Sequence, residues 1–156
     1  MIIWIASYPK SGNTWVRSFL NSLIFSKDGN ADLNSISKIG QYPLRSQFTG
    51  LIDDIDDIHK LAECWDSSQS KINLDNKIKF FKTHHVMCNY GNHSFTNYEN
   101  TLGTIYIVRD PRNVITSLKN HFTKENYEEA KKFIMDKDKV IGRNLDEKKK
   151  INFEDS

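Results

Sequence analysis

The residues IIWIASYPKSGNTW, numbered 2–15, decide the fold of this 156-residue chain. They begin with Ile2–Ala6, a short apolar run rich in β-branched side chains, which is typical of a buried strand in a parallel sheet. Polar residues follow, and from Trp15 to Ile24 apolar residues recur at helical spacing and form a broad apolar face. The stretch therefore predicts a strand, a tight loop and a helix.

Further strands and helices alternate along the rest of the chain. β-branched and aromatic runs at 78–83 and 104–108 predict two more strands, while apolar spacing predicts helices over 51–65, 114–122 and 127–134. Asp110 is expected to cap the helix that contains residues 114–122, with Pro111 at its first position. Residues 27–50 are expected to be largely irregular. Alternating elements predict an α/β fold with a mostly parallel sheet flanked by helices.

Composition argues against several classes of partner. The chain has 22 Lys and Arg against 20 Asp and Glu, a net charge of +2 that is too small to indicate nucleic acid or an anionic membrane. Two cysteines without ligand spacing indicate neither a disulfide framework nor a zinc site. The apolar start is too short for a signal peptide or a membrane span, so we expect a cytoplasmic protein. The oligomeric state is left open.

Two charged segments are predicted to be solvated. The acidic residues Asp53, Asp54, Asp56 and Asp57 fall between the apolar positions of a predicted helix, so a solvated face is favoured over a metal site. The charged tail, residues 136–156, is weakly periodic and is also predicted to be solvated. No metal is expected.

The loop after the first strand has the features of an anion site. The first N–H groups of a helix have no partner within the helix, and the helix dipole favours negative charge there. Gly12 allows close approach of a ligand, Lys10 supplies positive charge, and Ser11, Asn13 and Thr14 supply short polar groups. The order of residues differs from a Walker A loop. The alternative is an ordinary strand-to-helix turn.

Two further strand ends carry polar side chains. Arg109 ends the strand at 104–108, and Ser117 lies about two turns into the next helix; a guanidinium and a hydroxyl together suit a phosphate. Alternatively, Arg109 pairs with a carboxylate and Ser117 only borders the buried helix face. The strand at 78–83 leads into His84, which can act as a general base, and Lys82 points to the same side. The alternative is a loop histidine without a role.

These three segments resemble motifs of the sulfotransferases that use 3′-phosphoadenosine-5′-phosphosulfate (PAPS). Residues 9–15 resemble the 5′-phosphosulfate loop, usually Pro-Lys-Ser-Gly-Thr-Thr-Trp, with Asn13 in place of a threonine. Arg109 followed by Ser117 has the spacing of the family's 3′-phosphate site. Lys82-Thr83-His84 resembles the catalytic Lys-Thr-His motif, although His85 and Val86 replace the usual Leu-Pro, which makes His85 a secondary candidate.

The resemblance implies a P-loop-NTPase-like fold and sulfuryl transfer from PAPS to a hydroxyl or amine of a small-molecule or glycan acceptor, without a metal. The product of the donor is 3′-phosphoadenosine-5′-phosphate (PAP). The implied catalytic residues are His84 as base, with Lys10 and Lys82 neutralising charge. The implied donor-binding residues are Lys10, Ser11, Gly12, Asn13, Thr14, Trp15, Arg109 and Ser117. Trp15 would stack on adenine, and the alternative is a core tryptophan.

The resemblance covers about residues 1–125, and the family's late Gly- and Lys-containing phosphate loop has no counterpart in 124–156. We therefore expect one domain over 1–156, the amino-terminal portion of a sulfotransferase domain that is incomplete at its carboxyl end. One alternative is a truncated remnant that binds PAP or PAPS without catalysis. Another is a P-loop nucleotide phosphotransferase, which would need a Walker A loop and a magnesium-binding acid.

Overall fold

The computed structural model describes residues 1–27, 29, 33–54 and 57–136. Its strands are β1 (Ile2–Ser7), β2 (Gly40–Gln41), β3 (Lys79–Thr83), β4 (Asn89–Tyr90), β5 (His93–Ser94) and β6 (Thr101–Ile107). Its α-helices are α1 (Asn13–Phe25), α2 (Ile58–Glu63), α3 (Trp65–Asn73), α4 (Pro111–His121) and α5 (Tyr127–Met135), and two short 3-10 helices span Leu33–Lys38 and Arg45–Phe48.

Four parallel strands form the main sheet, in the order β2-β3-β1-β6. The α/β fold predicted from the sequence is therefore confirmed, and so are the three predicted strands. The two-residue strand β2 lies in the stretch predicted to be irregular, and the antiparallel hairpin β4-β5 was not predicted. β1 lies in the interior of the sheet, between β3 and β6. Open parallel sheets bind ligands at the carboxyl ends of their strands, and the β1–α1 loop follows directly from that end of β1.

The predicted helix over 51–65 is wrong at both ends. The Asp57 carboxylate accepts a hydrogen bond of 3.0 Å from the His59 N–H, which caps α2 and makes Ile58 its first residue. A break at Cys64 separates α2 from α3, which continues to Asn73. Asp53 and Asp54 precede α2, so they form no helix face, and Asp56 lies outside the described residues. Within the described ranges, no cluster of three or more His, Cys, Asp or Glu residues could hold a metal ion.

An aromatic cluster forms the core on one face of the sheet. Trp4 is fully buried at its centre, with ring centroids 5.3 Å from both Tyr42 and Phe95 and 6.2 Å from Phe81. Its indole N–H donates to the Thr101 hydroxyl at 2.8 Å. Aromatic pairs of this kind each contribute about 0.5–1.5 kcal/mol beyond the burial of their surface. This face therefore anchors the fold.

Helix α1 reverses the expected distribution of side chains. The helix forms where the apolar spacing predicts it, but Trp15, Phe19 and Leu23 of the predicted apolar face are exposed. Its buried residues are Asn13, Asn21 and Ser22. The reading of Trp15 as a core tryptophan is therefore wrong, since 82% of this residue is exposed.

The chain divides into two compact units, Met1–Val108 and Arg109–Ser156. The first contains both sheets and α1 to α3. In the second, α4 contacts α5 and buries Val114 and Leu118. The predicted cap at Asp110 is confirmed, with Pro111 as the first helical residue. Residues 137–156 of the charged tail lie outside the described part, in which no helix is long and apolar enough to cross a membrane.

Candidate functional site

The loop between β1 and α1 has an unusual backbone. Lys10 and Gly12 adopt left-handed conformations, with φ of 67° and 103°, and the Ser11 N–H donates to the Tyr8 carbonyl at 3.2 Å. A left-handed residue with a side chain costs about 1–2 kcal/mol, so Lys10 is held there by its surroundings. Left-handed residues in a loop can direct successive backbone N–H groups into one concavity, which can then bind an anion.

The amino terminus of α1 is open on its outer side. Gly12 is the N-cap residue and has no side chain with which to cap the helix, and its carbonyl accepts the first helical bond from the Val16 N–H at 3.2 Å. A Cβ added to Gly12 would meet nothing within 4 Å, so the space beside this residue is open. The arrangement leaves the first N–H groups of the helix directed at a potential anion.

The side chains of the loop point in two directions. Thr14 and Trp15 are exposed, whereas Ser11 and Asn13 are buried. The Asn13 amide donates to the Ile5 carbonyl at 2.9 Å and to the Ser7 hydroxyl at 3.1 Å, so its side chain lies beneath the loop. Any contact of Asn13 with an anion on the outer side would therefore come from its backbone N–H.

Lys82 and His84 lie at the carboxyl end of β3, beside β1. Lys82 pairs in register with Ile5, on the face of the sheet opposite the aromatic cluster that contains Phe81. Nδ1 of His84 lies 2.8 Å from the Ser7 carbonyl oxygen and 3.2 Å from the Ser7 hydroxyl. His84 is thus joined to the last residue of β1, immediately before the anion loop.

The environment lowers the pKa of both side chains. Removal of water from the ring is the largest cause for His84; the hydrogen bond to Ser7 opposes it, and the charges of Lys82 and Arg17 lower the pKa further. The pKa of Lys82 is lowered first by burial and then by Arg17. Because the ordinary pKa of histidine is about 6.5, His84 is mostly neutral at pH 7 and can accept a proton.

Arg17 lies close enough to Lys82 and His84 to influence both, and the sequence analysis did not identify it. One of its guanidinium nitrogens, Nη2, donates to the Ile39 carbonyl at 2.6 Å and to the Ile36 carbonyl at 3.3 Å, and burial lowers its pKa. Arg17 lies one helical turn after Asn13, on the polar side of α1. The available signal is a positive charge four residues after Asn13, which the apolar periodicity of the helix does not reveal.

His85 has a different environment from its neighbour. Its ring stacks on Phe95 at 4.7 Å between centroids and meets the edge of Trp65 at 4.9 Å. Nδ1 lies 2.9 Å from the Val86 carbonyl, and burial lowers the pKa of the ring. These contacts turn His85 toward the aromatic core, whereas the hydrogen bond of His84 is made to the end of β1.

Arg109 and Ser117 belong to the second compact unit, unlike the other candidate residues. Arg109 is exposed and precedes the cap of α4, while Ser117 is partly buried, roughly 9 Å along the helix axis from Pro111. Arg112 is bound to the Asp110 carboxylate through Nη2 at 2.6 Å and Nε at 3.0 Å, and this pairing lowers the pKa of Asp110. Arg112 is thus engaged locally with the helix cap.

Comparison with known proteins gives one match. The family model described as "Sulfotransferase domain" matches residues 2–151, a range that includes the β1–α1 loop, the end of β3 and the segment from Arg109 to Ser117. No curated protein and no solved structure matches the chain.

Proposed function

Because the chain belongs to the sulfotransferase domain family, we propose that it transfers a sulfuryl group from PAPS to a hydroxyl or amine of a small-molecule or glycan acceptor. One observation carries the proposal. His84 is hydrogen-bonded to Ser7, so a base that is mostly neutral at pH 7 lies directly beside the loop that opens α1. A group that accepts a proton and a cradle for an anion therefore share one edge of the sheet.

The β1–α1 loop would hold the 5′ end of the donor. Backbone N–H groups from Gly12 to Thr14 suit its 5′-phosphate, because the first N–H groups of a helix have no partner within the helix and Gly12 supplies no side-chain cap. The exposed indole of Trp15 can stack on a purine. Arg109 and Ser117 are proposed to hold the 3′-phosphate, and Arg112, already paired with Asp110, is not.

The chemical step needs a base and stabilisation of charge. His84 takes the proton of the acceptor hydroxyl while the acceptor oxygen forms a bond to sulfur and the bond from sulfur to the phosphate oxygen breaks. PAP leaves with the additional negative charge, which Lys10 neutralises at the bridging oxygen. Lys82, whose charge acts on His84, stabilises the transferred group. Transfer of this kind depends on positioning and on electrostatic stabilisation.

Calorimetric titration with PAP and ATP, in the absence of magnesium, tests the proposal. We expect PAP to bind more tightly than ATP. Equal affinities, or binding that requires magnesium, would contradict the proposal and favour a nucleotide phosphotransferase. PAP binding without release of PAP from PAPS, tested with phenol, alcohol, amine and saccharide acceptors, would instead favour a binding module without catalytic activity.

Two arginines give a matched test of the 3′-phosphate contact. Arg109→Ala should remove most of the preference for PAP over AMP, which lacks the 3′-phosphate. The loss expected for one charged hydrogen bond is about 1.5–3 kcal/mol, roughly tenfold or more in affinity. Arg112→Ala should retain the preference, since Arg112 is bound to Asp110. An equal loss in both variants would mean that only general positive charge is sensed.

A further inference from the structure

A buried chain of hydrogen bonds links the start of α1 to His84. The Asn13 amide donates to the Ile5 carbonyl at 2.9 Å and to the Ser7 hydroxyl at 3.1 Å. Nδ1 of His84 meets the Ser7 carbonyl at 2.8 Å and the Ser7 hydroxyl at 3.2 Å. Ser7 and Asn13 are 5% and 4% exposed, so water competes little for these contacts.

This geometry determines which nitrogen of His84 carries the proton. A carbonyl oxygen can only accept a hydrogen bond, so Nδ1 must donate to Ser7 at 2.8 Å. The lone pair of the neutral ring is then on Nε2. Nε2, the ring nitrogen on the side away from β1, is therefore the one that can take the proton of the acceptor substrate.

We propose that Ser7 and Asn13 act as a positioning pair that holds the imidazole of His84 with its proton on Nδ1 and its lone pair on Nε2. The inference rests on the proposed function, because it assigns the pair a role through His84 as the base. Neither residue touches the substrate through its side chain. Ser7 orients the ring, and Asn13 holds the Ser7 hydroxyl in place from beneath the loop.

The pair also accounts for the asparagine where the family's usual loop has a threonine. A carboxamide nitrogen carries two hydrogens and can serve both Ile5 and Ser7, whereas a threonine hydroxyl carries one. Asn13 thus binds two residues near the carboxyl end of β1, and Asn13→Thr would retain at most one of these donated bonds. The ring of His84 should be fixed most firmly in the wild type, less firmly in Asn13→Thr and least firmly in Asn13→Ala.

The tautomer can be measured without any sulfuryl transfer. Nitrogen-15 NMR of the ¹⁵N-labelled chain, above the pH at which His84 titrates, separates protonated from unprotonated ring nitrogens. His84→Gln identifies the signals of this residue among the five histidines. We expect protonated Nδ1 and unprotonated Nε2 in the wild-type chain. A predominant Nε2–H tautomer would overturn the proposal.

Variants of the pair test its effect on the reaction. Ser7→Ala keeps the carbonyl that accepts from Nδ1, so the Nδ1–H tautomer should remain, but loss of the hydroxyl contact should let the ring of His84 reorient. Asn13→Ala, which releases both Ile5 and Ser7, should have the same effect. In both variants we expect changed His84 ring signals and a kcat lowered by on the order of tenfold, as loss of a partner that orients a histidine does elsewhere. The affinity for PAP should change much less.

Ser22→Ala is the matched control, because the Ser22 hydroxyl donates to the Ser18 carbonyl within α1, at 3.1 Å, so that the substitution removes a bond of the same helix away from His84. If Asn13→Ala does not fold, Asn13→Thr and Ser7→Ala retain the test.

The possible outcomes distinguish failure of the positioning pair from failure of the proposed function. Changed His84 ring signals in Ser7→Ala and Asn13→Thr, with no turnover even in the wild type, support the positioning pair and count against sulfuryl transfer. Turnover in the wild type, with the His84 ring signals and kcat of these variants unchanged, overturns the positioning pair and leaves the proposed function standing.

Discussion

On one face of the sheet, Trp4 and Phe81 belong to a cluster of buried aromatic rings. On the other face, Lys82 lies at the end of β3, where burial and then the charge of Arg17 lower its pKa. The first face contributes large apolar areas and aromatic pairs, which are major contributors to stability. The second buries charges and amides, which contribute little net stability. The two faces of one sheet therefore differ: one contributes most of the stability, and the other holds residues for which binding and chemistry are proposed.

The largest effect is expected at His84. His84→Ala should lower turnover by about 10²–10⁴-fold, because a general base is lost, and should leave PAP affinity nearly unchanged. His85→Ala is the matched control: it should lower the free energy of unfolding, since His85 stacks on Phe95, and should retain turnover. PAP release from PAPS and denaturant unfolding measure the two effects. Full turnover in His84→Ala together with loss of turnover in His85→Ala would mean that His85, and not His84, is the base.

Two tryptophans compare the faces by stability. Trp4→Ala should lower the free energy of unfolding by about 3–5 kcal/mol, because it leaves a cavity in the aromatic core and removes the bond to Thr101. Trp15→Ala should change it by less than about 0.5 kcal/mol, because most of Trp15 is exposed, but should weaken PAP binding if the indole stacks on adenine. Denaturant titration and calorimetry check both. Similar destabilisation by the two substitutions would contradict the division between faces.

The sequence predicts the aromatic face better than the polar face. Ile2–Ala6 is recognisable because a central parallel strand is apolar on both sides. Arg17 was missed because helix reading assumes that the apolar side is buried, and α1 buries polar residues instead. β2 was missed because two residues carry no periodic signal. The apolar spacing over 51–65 concealed the cap at Asp57, so the start of the helix was placed too early.

The candidate site shows the same limit on a smaller scale. Lys82-Thr83-His84 and the β1–α1 loop could be found as motifs, since each follows a predicted strand. The bond between His84 and Ser7 joins residues 77 positions apart, and it depends on the pairing of β1 with β3. Local pattern in one sequence contains no direct record of such a pairing, so the orientation of the ring could not be read from it.

An effect of intermediate size is expected at two glycines. Gly12→Ala and Gly50→Ala should each cost about 1–2 kcal/mol of stability, because both glycines are left-handed, at φ of 103° and 78°, and neither Cβ would clash. Only Gly12→Ala should also weaken PAP binding, since Gly12 opens α1. Denaturant unfolding and PAP titration are the measurements. Equal PAP affinity of the two variants would remove Gly12 from the donor loop.

The smallest effect expected is a shift in the titration of His84. The positive charges that lower its pKa are those of Lys82 and Arg17, because each disfavours a second cation nearby. Arg17→Gln removes one of them and should raise the pKa of His84 toward the ordinary value of about 6.5. Arg17→Lys keeps the charge and should leave the pKa nearly unchanged. The His84 ring resonances, followed by NMR over a pH series, report each value directly.

The same shift has a consequence for stability whose sign follows from proton binding. In the wild type, the folded chain binds fewer protons at His84 than the unfolded chain between the lowered pKa and about pH 6.5, so stability falls as the pH decreases through that window. Arg17→Gln should raise the pKa of His84 in the folded chain. The pH range between this pKa and about 6.5 then becomes narrower, and the stability should depend less on pH. The acidic limb of turnover should move to higher pH in the same variant, because His84 must be neutral to accept a proton. An unchanged or lower pKa of His84 in Arg17→Gln would mean that Arg17 acts only through its bonds to Ile36 and Ile39, as a structural residue of the polar face.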